Sequence, residues 1–468
     1  MLGPLNINLA EFGVSQKNGF LPDTNSLPRL DSHAEWEILV DEIPQLLESK
    51  RFRQSADAMP ILDTSSLSEE PQWRRAYHLL SFMTHAYIWG GSQPSEILPA
   101  QIAKPFLTVS SHLGLPPTAT YAGLNLWNFT STSPTQDLTS LSHLSTVHTF
   151  TSTPDESWFY LVSVAIEARG AGIIPVMLDA MDAVRANEPS ILVSCLQKFA
   201  ACIKDCGEIL KRMYEHCDPE VFYHIIRPFL AGSKNMAVAG LPRGVFYDEG
   251  DGKGEWRCYS GGSNAQSSLI QFWDAVLGVK HVPTRGMAGK GPANGEVKKE
   301  AGSGHGFLDV GSACSSSFSL LRRSEHDTNW RPQEMRKYMP GPHRAFLNHI
   351  SAVSPIHTYI SHSACDPEVT QAYNDAVETL TSFRDIHIQI VTRYIINPSR
   401  KATGKENAGL NLAVATTKKG GKEFRGTGGT QLIPFLKQSR DETRDMLVPV
   451  EAVESAESTE SGEGSESS

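Results

Sequence analysis

No run of apolar residues in this chain is long enough to cross a membrane uninterrupted. The nearest candidate, Trp158 to Leu178, carries Glu167 and Arg169, whereas a span needs about 20 apolar residues. No secretory leader is read either, because Leu2, Ile7 and Leu9 form no block behind a basic start. Cysteine is sparse and odd in number: Cys195, Cys202, Cys206, Cys217, Cys258, Cys314 and Cys365 in 468 residues. That disfavours a disulfide framework and suits reduced thiols in a cytoplasmic protein. Cys202 and Cys206, with His216 and Cys217 nearby, lack a paired CxxC, so packed thiols on a helix are the plainer reading than zinc. Basic charge is not in excess, with 42 Lys and Arg against 52 Asp and Glu. The net charge is -10, and six Glu without any Lys or Arg lie in residues 451–468, which leaves -4 on the remainder. A body so nearly balanced has no footprint for nucleic acid or an anionic membrane.

Helical periodicity is what the chain has in quantity. Trp73, Tyr77, Leu80, Met83 and Tyr87 recur at three and four, and Gly90-Gly91 ends the run. A second pattern from Trp158 weakens at Gly170 and Gly172 and then resumes. A third begins behind Pro189 and carries Cys195, Phe199, Cys202 and Cys206. Strand is admitted only near Trp256 to Tyr259. Strand and helix do not alternate regularly, so the fold class expected is all-α, in two helical domains. A small one covers 1–150, joined to the next by the Ser/Thr-rich connection from Ser131 to Thr153. A large one covers 151–440, with long polar loops at 285–306 and 398–430. Residues 441–468 read as an acidic Ser/Glu tail too polar to pack.

The most informative helix runs from Asp366 to Asn397. Asp366 suits the N-cap, Pro367 the first turn and Glu368 the positive end of the dipole, and Pro398 is expected to stop it. Its apolar face holds Val369, Tyr373, Ala376, Leu380, Phe383, His387 and Tyr394. His387 therefore points inward, with Arg384 one turn before it. A buried imidazole needs partners for its nitrogens, so a hydrogen-bonded core histidine competes with an axial ligand to haem, Arg384 then reaching a propionate. A second segment, Gly261-Gly262-Ser263-Asn264-Ala265-Gln266-Ser267-Ser268, opens an amphipathic helix that ends near Gly278. It admits a nucleophile elbow with Ser263 as nucleophile, a small-residue wall over a cofactor, or a capped turn.

Together these segments resemble the indoleamine 2,3-dioxygenase family. The resemblance rests on Gly261 to Gln271 and on Phe383 to Ile395. It is joined by Leu115-Pro116-Pro117 with Tyr121, Arg227 to Gly232, Met335 to Pro340, His343 to Leu347 and Gly426 to Thr430. It runs from about Gln72 to Leu436. It implies haem b bound between the two domains, largely in the large one, with His387 as the iron ligand, Arg384 on a propionate and Asp274 as a charge partner near the proximal side. Gly262 and Ser263 would line the distal pocket, and Phe222, Arg227 and Ser263 would act on the substrate. Tyr121, Tyr223 and Thr427 complete the implied substrate site, Thr427 in a closing loop. The implied reaction inserts O2 across the indole C2–C3 bond of L-tryptophan or a related indoleamine. This gives N-formylkynurenine, the first step of the kynurenine route to NAD, with ferrous iron kept reduced by a cellular donor. A monomer is expected, with no nucleic acid or membrane partner.

The chain departs from the family at Tyr223, where relatives carry a second Phe, and at Leu124, Asn125 and Asn264-Ala265. Gly172 is read in place of a distal Ser. The Gly172 and Tyr223 departures keep a non-catalytic haem sensor open as an alternative, beside a serine hydrolase using Ser263 and a cofactor-free scaffold. Deleting residues 451–468 is expected to leave haem content and tryptophan turnover unchanged. A large loss on side-by-side assay of the truncated and full chains would give the tail a role.

Overall fold

The computed structural model describes residues 5–24, 26–135, 137–282, 331–362, 366–402 and 432–449. Helix takes 63% of these residues and strand 6%, which makes the class all-α with minor sheets. Three short helices, Ala34–Asp41, Ile43–Glu48 and Phe52–Ala58, precede α1 (Glu70–Trp89) and α2 (Ala100–Leu113). Next come α3 (Pro154–Ala171), α4 (Ile173–Ala186) and α5 (Pro189–Lys211). Then follow α6 (Ser268–Leu277), α7 (Gly341–Val353), α8 (Pro367–Val391) and α9 (Leu432–Arg444). The buried apolar core is continuous from Leu9 to Tyr394.

Local chemistry sets the helix ends. Glu69 and Gln72 form a reciprocal capping box on α1, and Gly90 follows its last residue. Gly172 separates α3 from α4, as the broken periodicity predicts. Asp366 accepts from the Glu368 N–H to cap α8, with Pro367 in its first turn. One expectation fails: Pro398 does not stop the helix. The chain widens into a π-helical turn at Thr392–Ile396 and continues as Asn397–Ala402. Pro398 thus falls in a first turn, where its missing N–H costs no helical bond.

The strands brace the helices. β1 (Ile97–Leu98) pairs parallel to β4 (Val245–Gly250), which pairs antiparallel to β5 (Lys253–Arg257). The Ser/Thr-rich connection holds an antiparallel pair, β2 (Phe129–Ser131) with β3 (Leu144–Thr146). α1 is buried on nearly every side, and its polar groups grip the backbone of the next loop. Tyr77 Oη donates to the carbonyls of Pro116 and Thr118, each at 2.8 Å. His78 Nδ1 lies 2.8 Å from the Gly123 carbonyl. Loop 116–123, which carries Tyr121, is therefore held from beneath. Behind it, the segment before Gly262 packs backbone on backbone: a Cβ on Gly261 would lie 2.0 Å from the Leu230 carbonyl and 2.4 Å from the Gly232 nitrogen. Gly261→Ala is expected to destabilise the fold by about 1–3 kcal/mol. A wild-type denaturant midpoint for the variant would contradict this close approach.

Candidate functional site

His387 lies midway through the C-terminal half of α8. Its ring is half-buried, and none of the hydrogen bonds among the described residues involves it. Desolvation, with the positive charge of Arg384 second, pushes its pKa down to about 4. The imidazole is therefore neutral, deep and partly open, with its lone pair uncommitted. Other buried histidines differ. His78 and His148 bond each other at 2.7 Å, and His148 meets Asp41 at 3.0 Å. His343 faces Ser268.

Arg384 is the nearest cation to His387, and it is drawn away. Its guanidinium donates to Asp274 Oδ1 on α6 at 2.5 Å and to the Ser439 carbonyl on α9 at 2.8 Å. The Asp274 pairing implied by the resemblance is thus seen directly. The carboxyl of Asp274 is held below its usual range: burial opposes this, but Arg384 and His281 outweigh it. Arg384 Nε is buried without any hydrogen-bond partner. An unbonded neutral imidazole and an orphaned guanidinium N–H three residues apart on one helix fit haem, a flat apolar disc with an anionic edge.

The glycine turn packs on the segment that carries Tyr121 and Leu124. Gly262 packs on Leu124, whose Cδ1 would lie 2.5 Å from an added Cβ. Gln266 ties the two together, accepting from the Tyr121 N–H at 2.8 Å and donating to the Gly261 carbonyl at 2.8 Å. His85, which the sequence patterns do not single out, clamps two segments. Its Nδ1 donates to the Phe229 carbonyl at 2.6 Å, and its Nε2 accepts from the Ala119 N–H at 3.1 Å. Burial lowers it to about 4, which keeps that acceptor free of a proton. Glu167 was also missed. Its Oε1 accepts from Tyr121 Oη at 3.0 Å and Ser267 Oγ at 2.6 Å, while Oε2 is buried without a partner.

Three of the expected substrate residues, Phe222, Tyr223 and Arg227, share one short stretch of chain. Phe222 is buried between Phe159, at 4.8 Å between ring centroids, and Tyr394, at 5.8 Å. It belongs to a π-helical turn, Phe222–Ile226, that leads straight into the helical turn Arg227–Leu230. Arg227 is buried, with its guanidinium 5.3 Å from the centre of the Tyr223 ring. Thr427 lies outside the described residues. Gly172 is exposed at the end of α3, with nothing within 4 Å of an added Cβ, so the departure read there touches no pocket. Ser163, on the same helix, is the buried serine near Tyr121. The nucleophile elbow is also corrected. Ser263 has ordinary extended backbone (φ -153°, ψ 142°) and caps a short turn by accepting from the Ala265 N–H. An elbow needs a strained turn and a histidine on the nucleophile. Ser263 has no such strain, and no hydrogen bond from a histidine to its Oγ is found among the described residues.

Comparison with known proteins gives the same direction. The sequence profile of the indoleamine 2,3-dioxygenase family matches residues 8–446. An indoleamine 2,3-dioxygenase of Aspergillus nanangensis is 39% identical over 453 residues, covering 95% of this chain and 98% of the relative. One of Saccharomyces cerevisiae is 39% identical over 457 residues, 93% and 92% of the two chains. A 6-hydroxytryptophan 2,3-dioxygenase of Fusarium equiseti is 34% identical over 445 residues, 95% and 98% of the two chains.

Glu167 yields a test independent of any ligand. Desolvation raises its pKa from 4.5 to about 7, against the bonds from Ser267 and Tyr121. The folded state then binds this proton more tightly than the unfolded state. Its contribution to stability is complete below pH 4.5 and is lost as pH rises to about 7. Glu167→Gln is expected to remove that loss, roughly 3 kcal/mol. Denaturant midpoints in mild acid and at neutral pH measure it, and an identical drop in both proteins would contradict the assignment.

Proposed function

The chain belongs to the indoleamine 2,3-dioxygenase family, and on that footing we propose that it inserts both atoms of O2 across the indole C2–C3 bond of L-tryptophan. The product is N-formylkynurenine. The observation that carries this reading is the neutral, unbonded His387 three residues from the orphaned Nε of Arg384. His387 would hold the haem iron, and Arg384 would meet a propionate, with Asp274 setting its direction. Bound haem supplies the activation of O2 that no side chain provides toward a closed-shell indole.

The chain's own residues do the rest. Phe222, between Phe159 and Tyr394, offers a flat apolar face to an indole. Arg227 would receive the amino-acid carboxylate through its planar donors. Its burial lowers its pKa, yet an arginine stays charged at neutral pH. A charge kept out of water binds an anionic partner more strongly than one at the surface. Gly262 lets the turn pack directly on Leu124, and Ser263 beside it brings only a small side chain. Holding the indole in one orientation converts a collision into an intramolecular encounter.

The reading extends to a ferrous resting requirement, a cellular reductant, a monomer in the cytoplasm and a place at the head of tryptophan catabolism. The Fusarium relative, named for a ring-hydroxylated tryptophan, supports assaying 6-hydroxytryptophan beside tryptophan. A haem sensor would bind the same group without turnover, so the assay separates the two readings. Under 18O2, both new oxygens of the product are expected to carry the label. Arg227→Ala should raise KM about 10- to 100-fold while haem content stays unchanged. Unchanged kinetics would remove the carboxylate role, and a product with one labelled oxygen would contradict the reaction.

A further inference from the structure

His281 lies in the loop after α6 and is nearly buried, its side chain 8% exposed. Both ring nitrogens meet carboxylates: Nε2 is 3.0 Å from Asp274 Oδ2, and Nδ1 is 2.6 Å from Glu442 Oε2. An ionised carboxylate can only accept. Each nitrogen must therefore carry a hydrogen, which makes the ring an imidazolium. Three elements present charge to it: Asp274 from α6, Glu442 from α9 and Arg384 from α8. Burial and Arg384 disfavour the proton, the two carboxylates favour it, and the balance lies with the carboxylates. Arg336, before α7, acts on the same Asp274. Arg384, His281, Asp274 and Glu442 form a set of two cations and two anions, neutral as a whole.

This set latches α9 to the body. Glu442 Oε1 accepts from the Val282 N–H at 2.9 Å and from Gln438 Nε2 at 2.6 Å. Ser439, one turn earlier on α9, takes a hydrogen bond from Arg384. The helix that carries Glu442 thus also holds one arm of the guanidinium, while Asp274 holds another and His281 joins the two carboxylates.

We propose that His281 is a positioning residue, an imidazolium that joins Asp274 to Glu442 and so fixes the Arg384 guanidinium for the anionic edge of haem. The proposal rests on the haem reading above. If His281 loses its proton, one ring nitrogen turns a lone pair toward a carboxylate, and the latch opens on that side. The latch is complete below the raised pKa of His281 and is lost as pH rises through it.

The test uses the full chain stripped of haem and titrated with haem from about pH 6 to about pH 10. Amide hydrogen exchange of residues 432–444 is followed in the same samples. The wild type is expected to bind haem about tenfold more weakly at the alkaline end, with α9 amides losing protection, measured against their intrinsic base-catalysed rates, over the same interval. His281→Gln should bind weakly and exchange fast at every pH, because it cannot donate to both carboxylates with a charge. Glu442→Gln keeps the shape of α9 and should move both readouts the same way, which covers misfolding of the first variant. Wild-type haem affinity and α9 exchange in both variants would overturn the proposal. A wild-type protein that takes up no haem at any pH would instead overturn the haem reading itself, and the positioning role with it.

Discussion

A half-buried, desolvated imidazole with no hydrogen bond is the constraint around which the rest is arranged. Leaving His387 unbonded in a desolvated place is unfavourable unless something later occupies its lone pair. Two features keep it available. Desolvation and the nearby positive charge of Arg384 lower its pKa to about 4, so it is neutral at neutral pH. Arg384 is committed to Asp274 and Ser439 rather than folded over the ring. Removing Asp274 would therefore do more than delete one ion pair: it would free a cation three residues from the ligand. The neutral set formed with His281 and Glu442 explains how a strong charge can sit so near without being exposed.

The segment that carries Tyr121 is held by a different economy of polar groups. α1 uses Tyr77, His78 and His85 to hold the backbone of loop 116–123. That loop delivers Tyr121 to Glu167, and the turn that follows it delivers Leu124 to Gly262. His85 also reaches the Phe229 carbonyl, two residues from Arg227. The N-terminal helices thus set the position of that segment beside the proposed substrate cation. Close backbone packing at Gly232 and Gly261 joins the same two regions without side chains.

Much of this was legible in the residue order, and the reason is local. The cap at Asp366, the break at Gly172 and the inward face of α8 follow from spacing alone. His387 and Arg384 stand on one helix, so a period of 3.6 relates them. The family resemblance added Asp274, and the structure pairs it with Arg384 across 110 residues. Other partners lie too far apart in sequence for any pattern to join them. Glu167 is 100 residues from Ser267, and His281 is 161 from Glu442. Pro398 failed as a stop because the π-helical turn before it shifts the helical register, which no propensity anticipates. Gly172 was misplaced for a related reason: a glycine at a helix end and one lining a pocket look alike in sequence.

The central claim is that His387, and no other group, holds the iron. The resonance Raman spectrum of the reduced protein tests it most directly, through the iron–imidazole stretching band. The band is expected in the wild type, absent in His387→Gly, and restored to that variant by added imidazole. Persistence of the band in His387→Gly without imidazole would assign the iron to another residue and contradict the account.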